Sequence, residues 1–265
     1  MICSFAEPER EGWTLIRREI DWNDPDVEHA REILLGTLLE SFRENRAATD
    51  LEADIINEAE GLSDYILSQD SRTFCILAVS FMEDALKRRF AEKWSITSSA
   101  DTDLYFGSNG PLSTFAQRLT VAKGIEWLTD VDLKQASILR KIRNHFAHNH
   151  RNHDIDRDPL VGLAESLNPL DKMLYNDRMD IYKEAYDAAS KATVLRIRIY
   201  CTSLAIVSSM LNRSKLIAAN LPAGMTDGTG FSSLTEVQQR FIDLTIRHSF
   251  RSLGITRTSS RTQVS

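Results

Sequence analysis

Apolar residues recur along this chain at intervals of three and four, and no stretch alternates with period two. That pattern predicts helices and no strands. Asp24-Pro25 offers an N-cap with proline at the first helical position, followed by Val27, Leu34, Leu35, Leu38 and Phe42 at helical spacing. Leu51, Ile55, Ala59, Leu62 and Ile66 form a second stripe. A third helix is expected after a Ser71 cap, through RTFCILAVSFMEDALKRRFAEKW. Two adjacent apolar stripes cover it, Phe74/Leu77/Ala78/Phe81/Ala85 and Cys75/Val79/Met82/Leu86/Phe90. They leave a narrow polar strip of Ser80, Glu83, Asp84, Lys87 and Arg88. A helix that is apolar on most sides belongs at the centre of a fold.

The next segment, SSADTDLYFGSNGP, reads as a loop. A helix from about Leu112 then turns Leu112, Phe115, Leu119 and Ala122 inward, and Gly124 closes it. Thr129 or Asp130 can cap the following helix, in which Val131, Ile138, Ile142 and Phe146 share a face. A polar connection runs to about Asp180. One long helix, YKEAYDAASKATVLRIRIYCTSLAIVSSML, places Leu195, Ile199, Thr202, Ile206 and Met210 on a stripe. NLPAGMTDGTGFSS reads as a linker, residues 233–251 as a last helix and GITRTSSRTQVS as a disordered tail.

The expected fold class is therefore all-α. Its parts are a multi-helix bundle core over residues 51–212, an acidic helical extension over 1–50, and a linker, helix and basic Ser/Thr-rich tail over 213–265. A hydrophobic content of 42% and a mean hydropathy of −0.28 suit a packed core and exclude a disordered chain. Six prolines and eleven glycines are few for 265 residues, which favours long elements.

The net charge of −6 hides a split. Residues 1–70 carry 18 acids and 6 Lys/Arg, a net −12, while the remainder is +6. An amphipathic helix over residues 26–46 is expected to bury its apolar stripe on the core, or on the same core in a second copy. Its acids would then lie near the basic segment Arg140 to His153, shielding it from anionic partners. Cys3, Cys75 and Cys201 are widely spaced, and the last two lie in apolar stretches, as buried free thiols would. The start, MICSFAEPEREGW, has acids where a signal peptide needs bases, and Ile199–Leu211 is shorter than the ~20 residues of a span. A cytoplasmic protein without a membrane partner is the expectation.

Chemistry concentrates in RKIRNHFAHNHRNHDID, residues 140–156, which holds four of the six histidines. LYFGSNGPLSTFAQRLTVAKGIEWLT followed by SILRKIRNHFAH resembles the mannitol operon repressor (MltR) family, whose members share an FG-x-x-GPL-x-TF turn and a helix closing on I-R-x-I-R-N-x-F-A-H. The similarity covers roughly residues 55–211 and leaves out residues 1–50 and 213–265. It implies a helical, non-enzymatic regulator of transcription that acts through protein partners and self-association, as a homodimer, with no cofactor. The same ending also resembles the Arg-x4–6-His signature of HEPN domains, many of which are metal-independent endoribonucleases. That likeness implies a catalytic set of Arg143, Asn144 and His148. A histidine suits general acid–base work near neutral pH, and an arginine fork suits a phosphate.

His145, His148, His150 and His153, with Asp154 and Asp156, form a cluster whose H-x2-H-x-H-x2-H spacing matches no common zinc pattern, so no metal site is expected. Arg140, Lys141, Arg143, His150 and Arg151 make a basic stretch able to bind RNA or another anion through phosphates. Arg240, Arg247, Arg251, Arg257 and Arg261 make the end of the chain locally basic too. No helix-turn-helix or zinc finger accompanies them, so this chain alone is not expected to read a DNA sequence. FGSNGP lacks the Lys-Ser/Thr of a nucleotide-binding loop. Glu83 is expected to face solvent or to pair with Lys87 rather than support Arg143.

Overall fold

The structure is a computed structural model that describes residues 47–149, 154–172, 180–218 and 235–255. All of these belong to the unit Arg43–Ser265. Among the described residues there are nine α-helices and no strand, as the apolar periodicity requires. The expected helix over 26–46 with its shielding acids, the linker at 220–233 and most of the C-terminal tail lie outside the described residues.

Helix α1, Asp50–Ile66, starts at Thr49, whose hydroxyl accepts from the Glu52 amide while the Glu52 carboxylate accepts from the Thr49 amide. Helix α2, Ser71–Lys93, is capped by Asp70, one residue before the expected Ser71. The Asp70 carboxylate accepts from the amides of Arg72 and Thr73. Both apolar stripes of α2 are needed for its surroundings, since Phe74, Cys75, Ala78, Val79, Phe81, Met82, Ala85, Leu86 and Phe90 are all buried.

A short helix, α3 (Ser99–Phe106), occupies the segment expected to be a loop. Ser98 caps it, and it buries no residue, so it has no apolar stripe for periodicity to detect. The turn after it needs glycine: a Cβ on Gly107 would lie 2.2 Å from the Asp103 carbonyl oxygen, and one on Gly110 2.4 Å from that of Tyr105. Helix α4, Phe115–Gly124, begins three residues later than expected, at a Thr114/Gln117 capping box. Gly124 is its last residue and not a left-handed cap; the chain reverses instead at Glu126, with φ of 63°.

Helix α5, Asp130–His148, is capped by Thr129 with Asp132 as the reciprocal partner. Ile138, Ile142 and Phe146 are buried, but Val131 in the first turn is 55% exposed, against expectation. The polar connection after α5 contains helix α6 (Leu160–Glu165) and a 3₁₀ turn, Leu170–Lys172. Ile155, Leu160, Ala164 and Leu167 of that connection join the core. The single long helix expected next is two. Helix α7 covers Asp180–Ala188 and helix α8 covers Lys191–Ala218. The break falls at Ser190, whose hydroxyl accepts from the Thr193 amide at 3.1 Å. A polar knot holds α7 in place: Arg198 donates Nε to Asp171 Oδ1 at 2.6 Å and Nη2 to Oδ2 at 3.0 Å, and Tyr186 donates its hydroxyl to Oδ2.

Helix α8 packs most extensively on α2 and next on α9, Glu236–Ser252. Its stripe of Leu195, Ile199, Thr202, Ile206 and Met210 is wholly buried. The Lys191–Ser214 portion is long and apolar enough to cross a membrane by length and composition, and 72% of that window is covered within the protein. Cys75 and Cys201 are free and buried, as expected; burial pushes the Cys75 thiol far up and that of Cys201 to about 12. Cys3 lies outside the described residues.

Candidate functional site

Helix α5 carries nearly every candidate residue, and its orientation follows from its apolar face. Leu139, Ile142 and Phe146 are inserted with no exposed surface, which rolls Arg143 towards α2. There Arg143 Nη2 donates to Glu83 Oε2, and Arg118 Nη2 of α4 donates to Glu83 Oε1 at 2.5 Å. One carboxylate thus bridges two guanidiniums. Arg118 also donates Nη1 to the carbonyl oxygens of Leu112 at 2.8 Å and Ser113 at 3.3 Å, fixing the glycine turn. Burial depresses the Arg118 guanidinium from its ordinary value, and the charges of Glu83 and Asp84 oppose that shift. A guanidinium so placed stays charged, so the three groups sum to one positive charge.

The expected role of Glu83 is therefore corrected: it neither faces open solvent nor pairs with Lys87. Lys87 instead lies over the Phe106 ring, 5.3 Å from its centroid. Sequence contained a signal for the bridge. A carboxylate on the narrow polar strip of a mostly buried helix is costly unless a cation meets it. Arg118, one position before the inward Leu119, is the same kind of signal.

Asn144 is half-buried, His148 is exposed at the last helical residue, Arg140 is half-buried and Lys141 is exposed. At about 100° per residue, Arg140, Asn144 and His148 form one row on α5, with Arg143 on its other flank. Arg143 is held against α2 while Asn144 and His148 have no hydrogen bond among the described residues, so the three side chains are not joined. His145 faces Asn149, whose Nδ2 lies 3.2 Å from His145 Nε2. His150, Arg151 and His153 lie outside the described residues. Among the described residues, no group of three or more His, Cys, Asp or Glu is placed to hold a metal ion.

The basic end of the chain is also placed differently from a free cationic tail. Arg240 donates to Asn57 Oδ1 at 2.9 Å, Arg247 pairs with Glu60 and Asp243 at 3.0 Å each, and Arg251 pairs with Asp64. Three arginines of α9 thereby meet polar groups of α1. Arg257 and Arg261 lie outside the described residues.

The fold and site define an all-α multi-helix protein with an ion-paired arginine beneath an open row of polar side chains. Comparison of the chain with family models, with curated proteins and with solved structures finds no match.

Proposed function

We propose that the chain is a non-enzymatic regulatory protein, similar to mannitol operon repressors, that acts in the cytoplasm through protein partners and self-association. One observation carries this reading: Arg143 is engaged by Glu83 together with Arg118. The two motifs that carry the resemblance, FGSNGPLSTF with the α4 helix and SILRKIRNHFAH, contribute one arginine each to that bridge. Their recurrence together is then accounted for by folding, because each arginine satisfies one oxygen of a carboxylate fixed on the central helix. A phosphate reaching Arg143 would have to compete with a carboxylate already in place.

A second reading, a metal-independent endoribonuclease of HEPN type, is favoured by a different observation. Asn144 and His148 share one side of α5 and have no hydrogen-bond partner among the described residues, as a general base and its orienting amide would. Such a site would be completed by the same row in a second copy.

Transcript profiling separates the two. In cells that make this protein, His148→Ala is expected to leave the transcripts it controls at their wild-type levels, whereas removal of the whole chain changes them. Equal effects of His148→Ala and of removal would transfer the weight to the nuclease reading.

A further inference from the structure

Among the described residues, burial depresses two guanidiniums from their ordinary value, those of Arg118 and Arg196. Arg118 has the Glu83 carboxylate against it. Arg196 of α8 has no ion-pair partner among the described residues, although Arg198, two positions on, is paired with Asp171. The Arg196 guanidinium carbon lies 4.5 Å from the centre of the Phe74 ring. Its Nη2 donates to the carbonyl oxygens of Ile66 at 3.0 Å and Leu67 at 3.3 Å, where α1 ends. Nε and Nη1 have no hydrogen-bond partner among the described residues, and neither is sealed from the surface.

Arg196 lines a pocket of about 140 Å³ together with Leu67, Thr193 and Ser252. The hydroxyl of Ser252, the last residue of α9, has no hydrogen-bond partner among the described residues. Ser190 Oγ accepts from the Thr193 amide and lies 2.9 Å from Thr193 Oγ1, so this hydroxyl pair keeps a proton to donate elsewhere. No carboxylate is among the lining residues. The charge of Asp70 reaches Arg196, but its oxygens already accept from the Arg72 and Thr73 amides and the Thr73 hydroxyl. Thr193 stands in the first turn of α8, where unpaired amides carry partial positive charge. A desolvated cation is costly until an anion meets it. Here the fold supplies donors and a space, and no anion.

We propose that this pocket binds a phosphate-sized oxyanion, free or as the head of a monoester. The anion accepts from the Arg196 donors that the α1 carbonyls leave free, a geometry in which a guanidinium fork suits a phosphate. The Ser252 and Thr193 hydroxyls complete its shell. The site uses no residue of the Glu83 bridge or the α5 row, so it stands independently of the function proposed above.

Isothermal titration of the full chain with inorganic phosphate, at fixed ionic strength, tests the inference. Wild type is expected to bind one phosphate saturably. Ser252→Asp and Ser252→Asn differ in charge and little in shape, and both replace a half-buried residue at the pocket. The aspartate places a carboxylate against Arg196 and should weaken phosphate by about ten-fold or more, while the asparagine should stay close to wild type. Arg196→Gln should abolish binding; if that variant loses helical circular dichroism, the Ser252 pair still decides. Methyl phosphate as a second ligand identifies the source: binding as tight as that of phosphate marks a monoester head, and weaker binding marks the free ion. Absence of saturable binding by wild type at millimolar phosphate overturns the proposal. So does equal affinity in the two Ser252 variants, which would mean that the phosphate sits elsewhere on the protein.

Discussion

His248 has no exposed surface and sits where α9 crosses α1 and α8, its Nδ1 2.9 Å from Ser63 Oγ and its ring 4.2 Å from that of Tyr200. Burial, with Arg196 of α8 and Arg251 of α9 nearby, lowers it to about 3, so the folded protein holds it neutral. The unfolded chain protonates it near its ordinary value of about 6.5, and stability therefore falls as pH falls through that value and continues falling towards 3. Urea unfolding at pH 7 and pH 5 is expected to differ by about 2 kcal/mol from this one group, a difference that His248→Leu should remove. Glu83 gives a second test at this scale. Glu83→Ala leaves Arg118, whose side chain is 6% exposed, without its carboxylate, and should cost about 2–3 kcal/mol. Arg143→Ala, at a side chain 26% exposed, should cost about 1 kcal/mol. The reverse order in denaturant melts would mean that the Glu83 carboxylate contributes less to the fold than the Arg143 side chain does. The HEPN-like motif and the basic stretch marked Arg143 as a candidate but not its restraint, because the partners are 60 and 25 residues away in sequence and no local spacing joins them.

Helices with an apolar stripe and a capping residue were legible, and those without were not. The doubled stripes of α2 marked it as a central helix, since it must be surrounded to remain in water, whereas the single stripe of α8 marked a helix but not its central place. Of the capping boxes, Thr129 was legible as a start, while Thr49 and Thr235, each with an acceptor three residues on, emerge only in the structure. By contrast, α3 buries nothing, and α6 is shorter than two turns, so neither produces a periodic signal. The split between α7 and α8 was hidden because Ala188, Ala189 and Ser190 are all tolerated within a helix; the cap at Ser190 decides the matter locally. The centrality of α2 is testable through Phe81, which is 4% exposed. Phe81→Ala should destabilise the protein by ~3–5 kcal/mol through the cavity it leaves. A melting curve identical to wild type would show that α2 is peripheral.

For the whole molecule, charge distribution and chain order meet in one pattern. The acids of α1, part of the −12 carried by residues 1–70, pair with arginines of α2 and α9: Glu58 with Arg88, Glu60 with Arg247 and Asp64 with Arg251. Charge that reads in sequence as an acidic front and a basic end is therefore partly internal to the fold, at pairs that contribute little each when exposed. What α5 still presents outward is Arg140, Lys141, Asn144 and His148, with Arg143 turned to Glu83. The central claim is that this arrangement serves structure and partner binding rather than bond cleavage. The most direct test is to incubate the purified full chain with mixed RNA in EDTA, beside His148→Ala and Arg143→Ala. The account expects intact RNA in all three, or the same trace cleavage in all three. RNA cut by the wild-type protein in EDTA and spared by both variants would contradict it.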